Sequence, residues 1–372
     1  MIYRIFRSIF LSGFALLALA CSKDDTEFES PPASISLTMI GEDLSNVFQY
    51  DYLSETNSGT QTSLTDELGI GSNYLTLRQF NSTLSFFSFG NDAISLYQKD
   101  LESGTVTTFP EFYRITTERS LVWGYTNEDS VFFGLYKPFG STNLALRVVG
   151  LPNFEAFDVS LEFAIDQLFE PLYTNGKLFV TYRSGIGDYK IVVYDTDQNS
   201  IIKTFDFGTA KPSMLITDTE DLAIFTQNGN DTMVLELFDT VSFLSISRKE
   251  LQLDQSFSAG PINGSLIGDK LYYQYIYQQP SQIVSGPAIF DITTGTITVL
   301  DLLGTISNLN QEAGLDIQPL PGQYLEKEGI FAISYVLQNP TDTELGGFIL
   351  MNLEGTLLAQ KNLNFVPTYF VN

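Results

Sequence analysis

The sequence predicts an all-β fold: a seven-bladed β-propeller of four-stranded blades, in which the first and last strands share one sheet. Three observations lead to it. A pair of alternating apolar runs joined by a turn returns seven times, a further apolar strand precedes each pair, and the chain ends in a strand without a hairpin of its own. Because an internal repeat decides the architecture, it outweighs the two or three domains that 372 residues suggest.

Each copy of the repeat is predicted to be a β-hairpin. Asp, Asn, Gly and Thr occupy the reversal between the two alternating runs, and these residues favour tight turns. The seven hairpins are predicted at 48–64, 94–109, 146–161, 191–205, 235–251, 288–300 and 349–363.

Two more strands are predicted before most hairpins. The nearer strands lie at 34–42, 83–91, 130–138, 177–185, 222–230, 270–278 and 329–337. Shorter apolar stretches, predicted to be inner strands, precede six of them at 73–80, 120–126, 170–176, 212–218, 261–269 and 317–325.

Ring closure accounts for the two chain ends. The first unit lacks its inner strand, and the orphan strand at 366–372 is predicted to supply it, which removes an unpaired sheet edge. A six-bladed ring is the alternative, with residues 35–68 as a separate cap. No stretch shows sustained helical periodicity, and 161–169 is at most a short turn of helix.

The first twenty residues are predicted to be an export signal. Arg4 and Arg7 precede an apolar run from Ile9 to Ala20, which is too short to span a bilayer comfortably. The sequence "LALAC" resembles the lipobox of bacterial lipoproteins, although Ala18 stands where that family prefers leucine. The resemblance implies lipidation of Cys21. The polar, Pro-containing segment after it predicts a flexible tether over 21–34, and the repeat predicts a propeller over 35–372. The alternative is a secreted protein cut near Ala20, with a free cysteine.

The residues after Cys21 refine the expected location. Ser22 replaces the aspartate that is the usual inner-membrane retention signal, so we expect the outer membrane. The sequence "SKDD" is similar to the acidic export tag of surface lipoproteins of the Bacteroidota, which implies exposure at the cell surface. The periplasmic face of the outer membrane is the alternative.

Composition excludes several classes of function. The chain has 19 Lys and Arg against 44 Asp and Glu, and removal of Arg4 and Arg7 with the signal changes the net charge from −25 to −27. Such a charge opposes nucleic-acid binding. The absence of histidine, with Cys21 as the single cysteine, excludes Ser-His-Asp and Cys-His catalysis and His-ligated zinc.

Candidate binding residues are sought where propellers usually bind ligands. This is the face formed by loops that join the second strand to the third and the fourth strand to the next blade. The connection 110–125 carries Arg114, Arg119 and the single Trp123, and the two arginines suggest an anion clamp beside the channel. Salt bridges to Glu111 and Glu118 are the alternative.

Four further loops are candidates because they exceed the length that a hairpin needs: 136–143, 182–189, 277–286 and 337–347. Arg183 lies in the second of them. Tyr277 is the tyrosine of "YYQYIYQQ" that we expect to emerge from the sheet, the others being buried between blades.

One turn has the oxygen spacing of a calcium loop. It contains Asp195, Asp197 and Asn199, with Asp206 further on, but Ser200 stands where an EF-hand needs glycine. An ordinary hairpin turn is the alternative, and no other cofactor is predicted.

The repeat resembles the broad propeller superfold, including variants found in lipoproteins beside TonB-dependent transporters, but it carries no subfamily signature. A rigid ring with variable loops, the expected surface location and the missing catalytic residue types together predict a non-catalytic, lipid-anchored binding protein that captures a ligand for an outer-membrane partner. The alternatives are an interaction subunit of an outer-membrane assembly or secretion complex and a carboxylate-dependent polysaccharide-active enzyme.

Overall fold

Seven separate sheets account for the strands in the part of the chain that the structure describes. The computed structural model describes residues 34–116, 120–136, 143–151, 153–228, 232–341 and 343–371. Within these ranges each sheet contains a run of four antiparallel strand positions, so the predicted seven-bladed β-propeller is confirmed and the six-bladed alternative is wrong.

The first three blades follow the predicted order. Blade 1 consists of β1 (Ser36–Glu42), β2 (Val47–Leu53), β3 (Ser58–Ser63) and the C-terminal β31 (Val366–Phe370). Blade 2 consists of β4 (Thr76–Phe80), β5 (Thr83–Gly90), β6 (Ala93–Asp100) and β7 (Val106–Arg114). Blade 3 consists of β8 (Ser120–Thr126), β9 (Ser130–Tyr136), β10 (Leu144–Gly150) and β11 (Ala156–Glu162).

In the remaining blades the inner strand varies: it is divided in blades 4 and 7 and has four residues in blade 6. Blade 4 consists of β12 (Ile165–Leu168), β13 (Leu172–Thr174), β14 (Lys177–Ser184), β15 (Tyr189–Asp195) and β16 (Ser200–Asp206). Blade 5 consists of β17 (Lys211–Ile216), β18 (Leu222–Asn228), β19 (Thr232–Phe238) and β20 (Ser245–Leu251), with β21 (Gly260–Pro261) parallel to β17. Blade 6 consists of β22 (Gly264–Ile267), β23 (Lys270–Ile276), β24 (Ser285–Asp291) and β25 (Thr296–Val299). Blade 7 consists of β26 (Ile317–Pro319), β27 (Gln323–Leu325), β28 (Ile330–Thr341), β29 (Glu344–Met351) and β30 (Leu357–Leu363).

The C-terminal strand closes the ring, as predicted. β31 is the innermost strand of blade 1 and pairs antiparallel with β1, so that Met39 faces Phe370 and Glu42 faces Val366. The buried Phe365 ring lies against Gly41, where a Cβ atom would come within 2.3 Å of that ring. Glycine is therefore required at position 41 for this close approach.

The core is divided among the interfaces between blades. Buried apolar side chains form separate clusters, each between two neighbouring blades. Between blades 7 and 1, Tyr52 and Phe348 meet edge to face at 5.0 Å. Phe and Tyr side chains contribute to these interfaces between blades. Burying one such side chain stabilises the fold by about 1.5–3 kcal/mol.

Two helices correct the prediction that the chain lacks them. α1 (Leu64–Leu68) begins after Ser63, whose side chain accepts a hydrogen bond from the Asp66 amide, and α2 (Leu302–Ala313) begins after Asp301, which accepts from Gly304. In α2 Leu302 and Ile306 are buried. This apolar stripe is too narrow to stand out as helical periodicity beside Gly304 and several polar residues.

Two local predictions are also wrong. Residues 161–169 form no helical turn, because β11 ends at Glu162 and β12 begins at Ile165. The loop predicted at 337–347 is mostly strand, because β28 continues to Thr341, which pairs with Glu344 of β29.

The strand directions define the two faces used below. The loop face contains the connections from second to third strand and from one blade to the next. The turn face contains the turns from first to second and from third to fourth strand. Within the described ranges, no helix has the length and apolar character needed to span a bilayer.

Candidate functional site

An apolar pocket of about 360 Å³ lies on the loop face between blades 2 and 3. The inner strands of both blades begin at its rim. Its lining is Leu75, Thr76, Phe87, Ile94, Leu121, Val122, Trp123, Gly124 and Phe133. The volume is in the range of pockets that hold small organic ligands.

Trp123 occupies this pocket because its strand is irregular. The pairing of β8 with β9 shifts register between Val122 and Tyr125, and Trp123 has φ of 55°. For a bulky residue this left-handed conformation costs about 1–3 kcal/mol, and residues strained in this way are more common at functional sites. The bulge leaves the indole 42% exposed.

The indole N–H is already satisfied by the protein. Nε1 of Trp123 donates to the carbonyl of Leu168, on the inner strand of blade 4, at 3.2 Å. The ring is thus held by blade 4 while it lines the pocket between blades 2 and 3. A ligand meets the apolar ring rather than its polar edge.

Gly124 creates part of the pocket's width. A Cβ atom here would lie 2.8 Å from the ring of Phe133 and 3.1 Å from that of Phe87. These two rings meet edge to face at 5.6 Å. Any larger residue at position 124 would displace them.

Among the described residues the lining carries no ionisable side chain, and Thr76 supplies its one side-chain hydroxyl. Burial of a charged ligand group here would be unfavourable because none of these residues could neutralise it. The pocket therefore suits a neutral ligand with a flat apolar part.

The predicted anion clamp is only partly described. Arg114 ends the outermost strand of blade 2, and its Nη2 lies 3.1 Å from Glu111 Oε2 while Nη1 donates to the Asn91 carbonyl at 3.4 Å. The local salt bridge to Glu111 is therefore present. Arg119 lies outside the described residues, so the clamp stays a prediction.

Arg183 and Tyr277 lie on the loop face but in other blades. In blade 4 the Nη2 atom of Arg183 is 3.3 Å from Asp166 Oδ2, and its guanidinium lies over the Tyr189 ring at 5.9 Å. In blade 6 the half-buried Tyr277 packs against Tyr275, and burial raises its pKa. Of the predicted residues that are described, Trp123 alone lines the pocket.

The predicted calcium loop is a hairpin turn whose side-chain oxygens accept hydrogen bonds from neighbouring groups of the protein. Asp195 Oδ1 accepts from the amides of Asp197 and Gln198 at 3.0 and 2.8 Å. Asn199 Oδ1 accepts from the Tyr194 hydroxyl at 2.9 Å, and Asp206 accepts from Gly208. Among the described residues, no group of three or more Asp, Glu, His or Cys side chains could hold a metal ion.

Sequence reasoning missed most of the pocket wall. Leu75, Phe87, Ile94 and Phe133 look like ordinary alternating strand residues, and no local signal separates them from the core. The single exposed Trp123 was the one usable signal. The predicted lipidation site Cys21 and the export signal lie outside the described residues.

The fold and pocket define the class: a seven-bladed β-propeller with an apolar loop-face pocket. No family model and no curated protein sequence matches the chain. Its structure is similar to two candidate 6-phosphogluconolactonases of about its own length. That from Bacteroides fragilis has TM-score 0.51 and 15% identity, covering 91% of this chain and 98% of that one. That from Bacteroides uniformis has TM-score 0.52 and 13% identity, covering 90% and 99%.

A prolyl endopeptidase is also similar, with TM-score 0.50, 12% identity and 79% of this chain covered. The chain spans 43% of that protein's length. At these identities the likeness shows the fold alone.

Proposed function

We propose that the protein is a non-catalytic, lipid-anchored binding protein of the outer membrane that captures a neutral ligand with a flat apolar part on its loop face. The observation that carries this proposal is the pocket of about 360 Å³ beside Trp123. A strained backbone that exposes an aromatic ring into a cavity supports a binding role.

Sequence supports the location. The lipobox-like "LALAC" supports lipidation of Cys21, and "SKDD" after it favours the cell surface. A rigid ring tethered to the membrane by a short flexible segment is suited to present a ligand to a membrane partner such as a TonB-dependent transporter.

Chemistry supports a binding role over catalysis. The chain has no histidine, and its single cysteine is the proposed lipidation site. The part of the pocket lining that the structure describes contains no acid or base, and the Thr76 hydroxyl has no general base among these residues.

The ligand proposal is tested with the neutral aromatic probe N-phenyl-1-naphthylamine, on the chain from Ser22 onward, since Ser36–Asn372 form a compact unit by themselves. Trp123 is the single tryptophan, so excitation at 295 nm should transfer energy to probe bound in the pocket. Gly124→Leu should weaken binding at least tenfold, and Val241→Ser, at an exposed site on blade 5, should leave it unchanged. Equal binding by both variants would refute the proposal.

The anchor is tested separately by metabolic labelling with an alkyne fatty acid. Wild type should be labelled, fractionate with the outer membrane and be degraded by protease added to intact cells. Cys21→Ser should lose the label and the membrane association. A Cys21→Ser protein that still sediments with the outer membrane would contradict lipid anchoring.

A further inference from the structure

A second cavity system lies on the turn face, at the opposite ends of the inner strands of blades 2, 3 and 4. One cavity of about 370 Å³ is lined by Gln79, Phe80, Asn81, Tyr125, Tyr173, Thr174, Asn175 and Gly176. A second of about 290 Å³ shares three of these residues and adds Asn127, Glu128, Asp129, Ser130, Thr196 and Asp197. Together they form one groove, called here the turn-face cleft.

Aromatic rings divide the cleft. Tyr173 meets Phe80 edge to face at 5.6 Å and stacks with Tyr125 at 5.6 Å. All three are half-buried, so each presents part of a ring to the cleft. Such rings offer an apolar face beside a hydrogen-bonding tip.

Hydrogen bonds within the protein hold these rings in place. Asn127 Nδ2 donates to the Tyr173 hydroxyl at 3.1 Å, and the Tyr125 hydroxyl lies 3.4 Å from the Gln79 carbonyl. Tyr369 of the closing strand donates to Gln79 Oε1 at 3.0 Å. The geometry therefore exists before any ligand binds, which lowers the entropic cost of binding.

Carboxamides occupy the rim. Asn81 and Asn175 stand at corresponding turns of blades 2 and 4 with φ of 51° and 46°, and both residues are exposed. Nδ2 of Asn175 donates to Glu220 Oε2 at 2.9 Å, so one of its amide hydrogens is already used and its Oδ1 can accept from a ligand. An amide supplies both donors and acceptors, which matches a hydroxyl group that also does both.

Charge selects against anions. Among the described residues no Lys or Arg lines either cavity, whereas Glu128, Asp129 and Asp197 line the second one. The cation beside the rim, Lys177, donates to the Asn175 backbone carbonyl at 3.4 Å. The whole chain is also strongly acidic. A phosphate or carboxylate ligand would be repelled, but carboxylates can accept hydrogen bonds from hydroxyls.

From aromatic faces, neutral amides and acceptor carboxylates in one groove, we infer that the turn-face cleft binds a neutral carbohydrate. Sugar C–H faces pack on Phe80 and Tyr173, and sugar hydroxyls bond to the carboxamides of Asn81 and Asn175. This site is separate from the loop-face pocket and binds its ligand independently.

Isothermal titration of the full-length protein in detergent tests this inference with four neutral probes: cellohexaose, maltohexaose, xylohexaose and mannohexaose. At least one should bind, and tri-galacturonate, an acidic probe, should bind at least tenfold more weakly than it. The Asn81→Gly, Asn175→Gly double variant should weaken binding at least tenfold, because glycine keeps the left-handed turns while removing both carboxamides.

Two controls locate the effect. Asn91→Gly makes the same exchange at a left-handed residue on the loop face, and it should leave sugar binding unchanged. Gly124→Leu, which fills the loop-face pocket, should also leave it unchanged. The inference fails if none of the four sugars binds, if the double variant binds as well as wild type, or if the acidic probe binds best.

Discussion

The loop-face pocket and the turn-face cleft lie at opposite ends of the same strands, yet their chemistry differs. On β4 Thr76 lines the pocket and Phe80 lines the cleft, about 13 Å away along the strand. The pocket is walled by aliphatic and aromatic side chains from neighbouring sheets, whereas the cleft is walled by turn residues with amide and hydroxyl groups. Ring geometry brings strand ends together, and the adjoining loops and turns decide what those ends can bind.

The largest expected effect comes from removing the closing strand β31, because both the loop-face pocket and the turn-face cleft depend on the closed ring. Deleting residues 366–372 removes β31 from blade 1 and the Tyr369 bond to Gln79, leaving β1 as an open edge. We expect loss of the cooperative thermal transition measured by circular dichroism, together with loss of binding at both ends.

A permuted chain provides the matched control for this deletion. Moving residues 364–371 to directly before Ser34 restores the strand, because β31 and β1 are antiparallel neighbours. The permuted chain should recover the transition. If the deleted chain melts like wild type, ring closure contributes nothing to stability.

The second largest effect is expected from Gly124→Leu, which should weaken ligand binding in the loop-face pocket and not in the turn-face cleft. Gly124→Leu forces a side chain between Phe87 and Phe133, and overpacking of this kind costs about 1–3 kcal/mol of unfolding free energy. Urea denaturation should show this loss, and probe binding at the loop face should fall at least tenfold. The control is Gly90→Leu, because a Cβ atom at position 90 meets open space. Gly104→Leu is unsuitable, because Gly104 has φ of 70° and a leucine there would strain the backbone.

A smaller loss of unfolding free energy is expected when tyrosine hydroxyls of the turn-face cleft are removed. Tyr173→Phe removes the hydroxyl that accepts from Asn127, and the loss of such a hydrogen bond costs about 1 kcal/mol. Tyr125→Phe should cost less, since its hydroxyl lies 3.4 Å from the Gln79 carbonyl. Urea unfolding of both variants checks this order, and a larger loss for Tyr125→Phe would contradict it.

The smallest effect concerns a charge at the loop-face end of β1. Burial raises the pKa of Glu42 above its ordinary 4.5, and its Oε2 atom is buried without a hydrogen-bond partner among the described residues. The stability tied to the protonated form is complete below pH 4.5 and is lost as the pH rises through the raised pKa. Ionised Glu42 therefore destabilises the protein at neutral pH.

Glu42→Gln should consequently raise the melting temperature at pH 7 by about 1–2 °C and have no effect at pH 4. Calorimetry at both values measures the difference. Glu128→Gln, at an exposed carboxylate of the cleft, is the control and should leave the melting temperature unchanged at both. An equal stabilisation by Glu42→Gln at pH 4 would show that charge is not the cause.

Much of the fold could be predicted from sequence because the repeat is locally encoded. Alternating runs and turn residues located all seven hairpins, and the orphan strand at the C-terminus indicated closure. α2 was missed because its buried stripe consists of Leu302 and Ile306, which is too narrow to stand out as helical periodicity. The hairpin at Thr341 and Glu344 was read as a loop because its strands carry polar residues.

The candidate sites were less predictable. Trp123 stood out as a single residue type, but its left-handed backbone follows from a register shift between two strands. The sequence did place three tyrosines of this region in predicted inner strands, namely Tyr125, Tyr173 and Tyr369. Their convergence around Gln79 became visible only with the ring.

The sequence by itself determined the seven-fold strand repeat, the acidic surface and the absence of histidine, because periodicity, charge and composition are properties of the chain alone. Tertiary structure decided which side chains share a cavity. The walls of both cavities come from blades 2 and 3 or from blades 2 to 4, so residues as far apart in sequence as Phe80 and Asp197 must meet. These contacts depend on how the sheets pack and on the bulge between Val122 and Tyr125, so no local sequence pattern encodes them.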